Sequence, residues 1–292
     1  MKYADLADAD CAIAQALGVV GEWWSLLVVR DVAGGLHRFE ELQRELGISR
    51  KVLTQRLTTL VEHGVLERRP YSAHPPRHEY HLTDKGRGLL PVLVALQDWG
   101  TRHVLGDGSL TATSAPTSPE AARVQDLVGK RLEVTALTAH TGVPVDPVGR
   151  SAWTVLYCFP GADAPGGRFY PPGWGEIPGA AGCTLESTTL RDRYADFAAA
   201  GVTVHGVSTQ RPDQLAAFAE HTGLPFELLS DVDLELAASL RLPTFRAAGT
   251  DRLKRLTLLL DVGRVVRDVL FPITDPAGSV DDVLALVRAR SG

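Results

Sequence analysis

The sequence is poor in cysteine, in methionine and in long apolar runs. Its 292 residues contain three cysteines and one methionine. Three cysteines are too few for the disulfide framework of a small secreted protein, and no pair has the spacing of metal ligands. No apolar run approaches the roughly 20 residues that span a bilayer, and the first residues lack the apolar core of a signal peptide. We therefore expect a cytoplasmic protein with no membrane segment, no metal and no other cofactor.

The excess of acidic over basic residues is small and unevenly distributed. The net charge is −5, yet residues 1–106 hold 13 basic and 13 acidic residues. Within residues 49–87, eight basic side chains face only four acidic ones. A local excess of positive charge is what contact with phosphate requires. The charge of the whole chain argues weakly against nucleic-acid binding, whereas this segment favours it.

The composition changes once along the chain. Residues 107–122 are rich in Ser, Thr and Pro and show no hydrophobic periodicity, which predicts a linker. Helical spacing dominates before this segment. After it, short apolar runs alternate with helical segments, as in an α/β domain. We predict two domains, over residues 1–106 and 123–292.

The first domain has the pattern of four helices followed by a hairpin and a last helix. The helices are predicted over residues 7–17, 23–31, 38–46 and 50–63. Ser49 is a good N-cap for the fourth, in which Leu53, Leu57 and Leu60 should face the core. Two short strands around Pro75 would form a wing, and Thr83 would cap a helix over 84–104. This order predicts an α+β winged helix-turn-helix domain.

The outward face of the fourth helix is polar and basic, so we expect it to enter the major groove of double-stranded DNA. The wing carries further basic and imidazole side chains suited to phosphate or the minor groove. The predicted DNA contacts are Ser49, Arg50, Lys51, Thr54, Gln55 and Arg56 at the helix and Arg68, Arg69, His74, Arg77 and His78 in the wing. For Arg56, a pair with an acidic residue such as Glu62 on a solvated face is the alternative.

This half of the chain resembles the HxlR family of winged-helix bacterial regulators over about residues 9–104. The matching segments include Cys11, 17–24, 38–42, 53–57, Pro75-Pro76, Glu79-Tyr80, Leu82-Thr83 and Trp99-Gly100. The resemblance implies a homodimer, joined through the first and last helices, that binds an inverted-repeat operator. It also implies that Cys11 takes the place of an oxidant-sensing cysteine of several members, although a small core residue is the alternative reading. Ala12 stands where the family usually has Pro.

The second domain reads as strand, loop, helix, strand, helix, hairpin and helix. A long Gly- and Pro-rich loop is predicted over 161–182. Cys183 follows it and comes just before a helical stretch. Strands are predicted over 154–160 and 202–208. A thiol at the start of a helix is where the dipole and the free N–H groups stabilise a thiolate. The order of the elements predicts an α/β thioredoxin-like fold.

This half resembles the peroxiredoxins over about residues 130–289. The resemblance depends on 157–160, 182–184, 191–192, 206–208, 228–231, 242–244 and 255–257. It implies that Cys183 is the peroxidatic cysteine and that Arg255 stabilises its thiolate. Two positions depart from the family: Thr188 stands where relatives often have a resolving cysteine, and Ala180 replaces a hydroxyl residue that helps to hold the peroxide.

Cys158 lies in the middle of a predicted strand. A buried core residue is its simplest interpretation, since free cysteine is commonly buried. A role as the resolving partner of Cys183 stays open if the side chain turns toward the loop.

Together the two halves predict a transcription regulator in which peroxide or another oxidant oxidises Cys183 and so changes DNA binding. The main alternative is a one-cysteine peroxidase that consumes a thiol reductant, with the winged helix serving for dimerisation or autoregulation. A third reading is a regulator whose second domain has lost its chemistry and binds a small molecule or a protein.

Overall fold

The computed structural model describes residues 10–291. The chain divides into two compact units, Met1–Leu93 and Val94–Gly292. This division falls within a helix, whereas the sequence placed the end of the first domain after residue 106. The physical reason is that the second half of the helix is tied to the second unit, where the Gln97 side-chain amide donates to the carbonyl of Leu242 over 2.8 Å.

The first unit follows the predicted order of elements. They are α1 (Ala12–Val20), α2 (Trp23–Ala33), α3 (Phe39–Leu46), α4 (Arg50–Glu62), β1 (Leu66–Ala73), β2 (Pro76–Leu82), α5 (Asp84–Arg87) and α6 (Leu90–His103), which crosses the division. Gly47, with a φ of 62°, turns the chain between α3 and α4. The Ser49 hydroxyl accepts from the N–H of Val52 as the N-cap of α4. The start of the predicted first helix, residues 7–9, lies outside the described residues.

The last predicted helix, 84–104, is wrong as a single element. Thr83 does cap its start, accepting from the N–H of Gly86 over 3.1 Å. The helix then ends at Gly88, and α6 begins at Leu90. Pro91 explains the break, because proline has no N–H to donate to the carbonyl four residues earlier and is tolerated only in the first turn of a helix.

The core of the first unit contains the face predicted for α4. Leu53, Leu57 and Leu60 are fully buried, together with Val28 and Val29 of α2. Among the polar residues of α4 between these leucines, Thr54, Gln55 and Thr58 are exposed, and Arg56 and Thr59 are half-buried. In the part of the chain that the structure describes, no single helix is long and apolar enough to span a membrane; α1 and α2 reach that length and composition only as a pair bent by 72°.

The second unit is built on a seven-stranded sheet. Its strands are β3 (Leu137–Ala139), β4 (Pro144–Val145), β5 (Trp153–Cys158), β6 (Val202–Ser208), β7 (Glu227–Ser230), β10 (Leu256–Asp261) and β11 (Val266–Leu270), in the order β11-β10-β5-β6-β7-β3-β4. β5, β6 and β7 are parallel, and β10 runs antiparallel to β5. β8 (Thr244–Ala247) and β9 (Thr250–Leu253) form a separate hairpin.

The helices of the second unit are α7 (Pro119–Gln125), α8 (Cys183–Asp192), α9 (Tyr194–Ala199), α10 (Pro212–Thr222), α11 (Glu235–Ser239) and α12 (Gly278–Ser291).

The segment predicted as a linker is ordered in part. α7 begins inside it at Pro119, with the Ser118 hydroxyl as N-cap. Ala112 is fully buried, and its N–H donates to the carbonyl of Pro178. The polar composition of this segment did not reveal its order. Glu120 is buried because it forms an ion pair with Lys254, and the two side chains are each 4% exposed. The helical stretch predicted at 190–197 is two helices, α8 and α9, and β3, β4, β7, β8 and β9 were not predicted as strands.

The alternation of β5 assigns its side chains to opposite faces of the sheet. Val155 and Tyr157 join the core cluster that contains Cys183 and the buried residues of α8, α9, α10 and α12. The Tyr157 hydroxyl lies 3.1 Å from that of Ser187 on α8. Cys158 is fully buried but points to the other face, since successive residues of a strand alternate.

Asp231 is expected to make the stability of this unit depend on pH. Its carboxylate caps α11, accepting from the N–H groups of Leu236 (2.9 Å) and Ala237 (2.8 Å), and burial raises its pKa to about 7. An unfolded carboxyl has a pKa of about 4. The native state therefore holds the proton more tightly, and this contribution is present below pH 4 and is lost as the pH rises through 7.

Asp231→Asn should reduce this slope and cost about 1–3 kcal/mol, because one amide oxygen cannot accept from both N–H groups. Urea unfolding between pH 4 and 8 measures both effects, and Asp282→Asn, at an exposed position of α12, is the matched control. Equal slopes for the wild type and Asp231→Asn would contradict the assignment.

Candidate functional site

The residues predicted to contact DNA differ in their exposure and in their contacts within the protein. Lys51, Thr54 and Gln55 are exposed on the outer face of α4. Arg50 is exposed too, but it turns toward α3, where its guanidinium lies 4.7 Å from the Phe39 ring centroid. Ser49 is engaged as the helix cap and Arg56 is half-buried. Of the predicted contacts in α4, Lys51, Thr54 and Gln55 are therefore the ones presented freely to solvent.

The wing carries its basic residues on an exposed antiparallel hairpin. In its register, Arg69 pairs with Glu79 and Pro70 with His78. Arg69 also donates to the Glu67 carboxylate over 2.9 Å, and this carboxylate partly neutralises the charge of Arg69. The remaining predicted residues are exposed in β1, β2 and the turn between them: Arg68, His74, Arg77 and His78.

Cys183 is the first residue of α8. The chain enters the helix through Gly182, whose φ of 101° is unfavourable for other residues, and a Cβ at this position would lie 2.6 Å from Pro276 Cγ. A thiol at the first position of a ten-residue helix lies at the positive end of the helix dipole. Cys183 is only 2% exposed, so its partners within the protein dominate its chemistry.

Three polar groups surround the sulfur. Nη2 of Arg255 lies 3.3 Å from Sγ, and the backbone N–H of Gly161 lowers the pKa of the thiol. The thiol in turn faces the carbonyl of Ala180 at 3.6 Å. The structure thus brings together the two residues that the sequence singled out, although 72 positions separate them.

Arg255 is buried and does more than approach the sulfur. The same Nη2 donates to the carbonyl of Ala181 over 2.9 Å, and Nη1 forms an ion pair with the buried carboxylate of Glu186. Glu186 is one helical turn after Cys183, so the arginine connects both residues to the loop before the helix.

The charges around the sulfur oppose one another. Burial raises the pKa of the Cys183 thiol, Arg255 lowers it, and the charge of Glu186 raises it again, with a net upward direction. Burial likewise raises the pKa of Glu186, to about 7, against the opposing effect of Arg255. The sequence led us to expect a stabilised thiolate. Burial of the thiol, with a smaller contribution from the Glu186 carboxylate, is the reason that Arg255 does not produce one.

Within the second unit, Cys158 is not placed in a way that favours pairing with Cys183. Cys158 points to the opposite face of β5, and burial raises the pKa of its thiol. Cys11 is exposed just before α1 in the first unit, so its interpretation as a small core residue is wrong. At the position of a resolving cysteine, the Thr188 hydroxyl donates to the carbonyl of Thr184 over 2.9 Å.

Sequence reasoning missed two charged residues near Cys183. Glu186 could have been identified from the sequence, because a residue three positions after a cysteine at the start of a helix lies on the same helix face. Arg252 gave no such signal, since only the β8–β9 hairpin brings it close, where it stacks on Phe169 and Trp174. Among residues 10–291 no group of three or more His, Cys, Asp or Glu side chains is placed to hold a metal ion.

Glu186→Gln should make Cys183 more reactive. The substitution removes the negative charge beside the sulfur while an amide oxygen still accepts from Arg255, so the pKa of the thiol should fall. Each unit of this shift gives about tenfold more thiolate at a pH below the pKa. The measurement is the rate of Cys183 alkylation by iodoacetamide against pH, followed by mass spectrometry of its peptide.

Glu176→Gln is the matched control, because Glu176 is exposed in the loop that leads to Cys183. It should leave the alkylation profile unchanged. A Glu186→Gln profile shifted to higher pH, or not shifted at all, would show that Glu186 does not weaken Arg255.

Family comparisons assign each half of the chain separately. The model described as HxlR-like helix-turn-helix matches residues 19–106, and that of the AhpC/TSA family matches residues 177–269. An uncharacterized HTH-type transcriptional regulator of Mycobacterium tuberculosis is 46% identical over 93 residues, 32% of this chain and 59% of the relative. The chain thus spans less than two thirds of that relative.

A second relative is covered more fully. It is an uncharacterized HTH-type transcriptional regulator of Methanothermobacter thermautotrophicus, 36% identical over 102 residues, 34% of this chain and 78% of the relative. Among solved structures, peroxidoxin BcpB from Mycobacterium tuberculosis is 27% identical, with 56% of this chain and 96% of that chain covered at a TM-score of 0.46. The chain belongs to the HxlR-like helix-turn-helix regulators through its N-terminal part and carries a peroxiredoxin-like domain of the AhpC/TSA family in its C-terminal part.

Proposed function

We propose that this protein is a cytoplasmic, homodimeric transcription regulator whose affinity for an inverted-repeat operator depends on the oxidation of Cys183. The observation that carries the proposal is the Arg255 guanidinium 3.3 Å from the sulfur at the start of α8. A nearby guanidinium and a helix N-terminus are the features that prepare a thiol for nucleophilic attack. On a chain with a DNA-binding module, they suit a sensor.

The chemical step is a two-electron oxidation of the sulfur. The Cys183 thiolate attacks one oxygen of a hydroperoxide, an S–O bond forms and the O–O bond breaks. The sulfur becomes a sulfenic acid, and the other oxygen leaves with the electron pair and takes a proton from water. DNA affinity then changes because the oxidised and reduced states contact DNA differently.

The proposed DNA contacts are those that the first unit presents to solvent. Lys51, Thr54 and Gln55 of α4 would lie in the major groove, with Arg50 beside them. Arg68, Arg69, His74, Arg77 and His78 of the wing would lie along the phosphates, whereas Ser49 and the half-buried Arg56 would support α4. A helix in the groove and a basic wing on the backbone divide readout from positioning.

Exposed apolar side chains at the helices support the dimer. Ile13 is 73% exposed on α1 and Trp23 59% on α2, while Leu96 and Trp99 are more than half exposed on α6. Leu96 and Trp99 are one turn apart on α6, and adjoining exposed apolar side chains are typical of protein–protein contact sites. A second copy of this chain is the partner that the HxlR resemblance implies.

Arg77→Ala, in the wing, should weaken DNA binding at all sequences alike. Loss of one phosphate contact lowers the slope of log affinity against log salt by about 1. Fluorescence anisotropy on the region upstream of the protein's own gene, at several salt concentrations, measures this slope. Lys130→Ala makes the same change in charge at an exposed site of the second unit, and a slope equal to that of Arg77→Ala would contradict the assignment.

Cys183→Ser should abolish the effect of oxidant on DNA affinity while the reduced protein binds as before. The same anisotropy assay compares reduced, peroxide-treated and re-reduced protein at one fixed salt concentration. Cys158→Ser is the control, since Cys158 faces away from the site, and it should keep the response. If Cys183→Ser still responds to peroxide, the proposed mechanism fails.

The second candidate function is a one-cysteine thiol peroxidase. It is favoured by the approach of Arg255 to Cys183. Because Thr188 replaces a resolving cysteine and Cys158 faces away, an external thiol would have to reduce the sulfenic acid. Steady consumption of peroxide with a thiol reductant, at a DNA affinity that oxidant does not change, is the outcome expected of this enzyme.

A cavity favours the reading in which the second unit binds a small molecule. It has a volume of about 440 Å³ and is lined by Asp98 and Arg102 of α6 together with Glu120, Phe245 and Lys254. Charged side chains of both signs beside an aromatic ring suit a small polar ligand. Resistance of Cys183 to micromolar peroxide is the result expected if this is the principal function.

A further inference from the structure

The cavity beside α6 is lined by charged and by apolar side chains. Its volume of about 440 Å³ lies within the roughly 300–1,000 Å³ that is typical of small-molecule sites. All of its lining residues belong to the second unit. Five of them carry a charge: Asp98, Arg102, Asp107, Glu120 and Lys254. The kind of ligand that fits depends on which of these charges already have partners in the chain.

Three of the five charged groups are engaged within the protein. Nζ of Lys254 donates to the Glu120 carboxylate over 2.7 Å, and both side chains of this ion pair are 4% exposed. The carboxylate of Asp107 accepts from the N–H of Ser109 over 2.9 Å and from its hydroxyl over 2.6 Å. A ligand that used the ion pair would have to separate two buried charges, which is costly.

Asp98 and Arg102 are the two charged groups that remain. Both are half-buried, and within residues 10–291 neither forms an ion pair. Arg102 donates from Nε to the carbonyl of Gly108 over 2.6 Å, which leaves its two terminal nitrogens for another acceptor. Burial raises the pKa of Asp98, and Arg102 opposes this effect less than Lys254 does.

The spacing of Asp98 and Arg102 brings both charges within reach of one small molecule. They lie four positions apart on α6, so they share a helix face with their Cβ atoms about 5–6 Å apart. A simple anion or a simple cation would pair with one of them and leave the other half-buried without a partner, which is unfavourable. A molecule that carries both an ammonium and a carboxylate group pairs with both.

The apolar part of the lining indicates what the rest of the ligand is. Leu105, Leu110 and Phe245 line the same cavity as the two free charges. Small-molecule sites typically combine an apolar lining with a few polar groups that fix the orientation of the ligand. An apolar side chain on the ligand would be removed from water by these three residues, which is favourable.

We propose that this cavity binds a small α-amino acid with an apolar side chain, whose ammonium group pairs with Asp98 and whose carboxylate pairs with Arg102. The inference rests on the candidate function in which the second unit binds a small molecule, and it does not depend on the oxidation of Cys183. The free terminal nitrogens of Arg102 suit a carboxylate, which a guanidinium binds through two parallel N–H···O hydrogen bonds.

The test uses probes that differ by one charged group. L-Leucine carries both charges, isopentylamine lacks the carboxylate and isocaproate lacks the ammonium group. Ligand-observed NMR titration of reduced, full-length protein measures weak and moderate binding alike. L-Leucine should bind with a Kd below about 1 mM. Each single-charge probe should bind about 10- to 100-fold more weakly, as expected for the loss of one hydrogen-bonded contact with a charged group.

Two variants assign each charge of the ligand to its partner. Asp98→Asn should weaken the binding of L-leucine and isopentylamine by about 10-fold or more and leave that of isocaproate unchanged. Arg102→Gln should weaken L-leucine and isocaproate and leave isopentylamine unchanged. A purely structural role of either residue would not separate the two single-charge probes.

The controls make the same changes in charge away from the cavity. Asp282→Asn and Arg288→Gln, at exposed positions of α12, should bind all three probes as the wild type does. If circular dichroism shows that Arg102→Gln is not folded, Arg102→Lys replaces it. This variant keeps the charge but not the two parallel donors, so it should retain part of the affinity for isocaproate.

The outcomes separate this inference from the function on which it rests. Isopentylamine or isocaproate binding as tightly as L-leucine overturns the amino-acid site and leaves the candidate function in place. Equal affinities of the wild type, Asp98→Asn and Arg102→Gln for L-leucine place the ligand elsewhere and overturn it as well. The inference also fails if neither L-leucine nor the smaller L-valine and larger L-phenylalanine bind. The candidate function is then judged separately, by the resistance of Cys183 to peroxide.

Discussion

The site depends on one buried guanidinium. Arg255 stands just before β10, next to the central strand β5, and is 2% exposed. It contacts the sulfur of Cys183, the carboxylate of Glu186 and the carbonyl of Ala181 at once. A charge this deep in a protein must have its donors used, so the loop before α8 and the first turn of α8 are held in one arrangement. The reactivity of the thiol and the geometry of the helix start are therefore set by the same side chain.

The ordered segment after α6 connects this site to the rest of the second unit. The N–H of Ala112 donates to Pro178 in the loop that leads to Cys183, and Lys254 binds the carbonyl of Thr113. An oxygen added to a sulfur that is 2% exposed needs space that the reduced site does not offer. Under the proposed oxidation the loop would have to shift, and the segment that follows α6 is hydrogen-bonded to it.

The sequence was sufficient where one local pattern decides the structure. The spacing of Leu53, Leu57 and Leu60 and the cap at Ser49 determine α4, and these features are local. Pro91 could have located the break before α6, but a continuous apolar spacing concealed it. The approach of Arg255 to Cys183 followed from a family resemblance alone, because tertiary pairing of β5 with β10 brings them together.

Other parts of the site had no local signal. The stack of Arg252 on Phe169 and Trp174 depends on a hairpin meeting a long loop, and neither segment has a periodic pattern. The segment 107–122 was predicted as a linker because polar residues usually lie in solvent. Glu120 is buried all the same, because Lys254, from the β9–β10 turn, neutralises it.

The direction of the Cys158 side chain affects how long an oxidised Cys183 would persist. Cys158 is the one other cysteine of the second unit, and it lies on the far face of β5 from the sulfur that the proposal oxidises. A sulfenic acid at Cys183 then has no nearby thiol in its own unit to close a disulfide without rearrangement. The duration of the oxidised state is accordingly set by the thiols that reach it from outside. Such a regulator would report the balance between oxidant and reducing capacity in the cell, and its response would outlast the oxidant when that capacity is low.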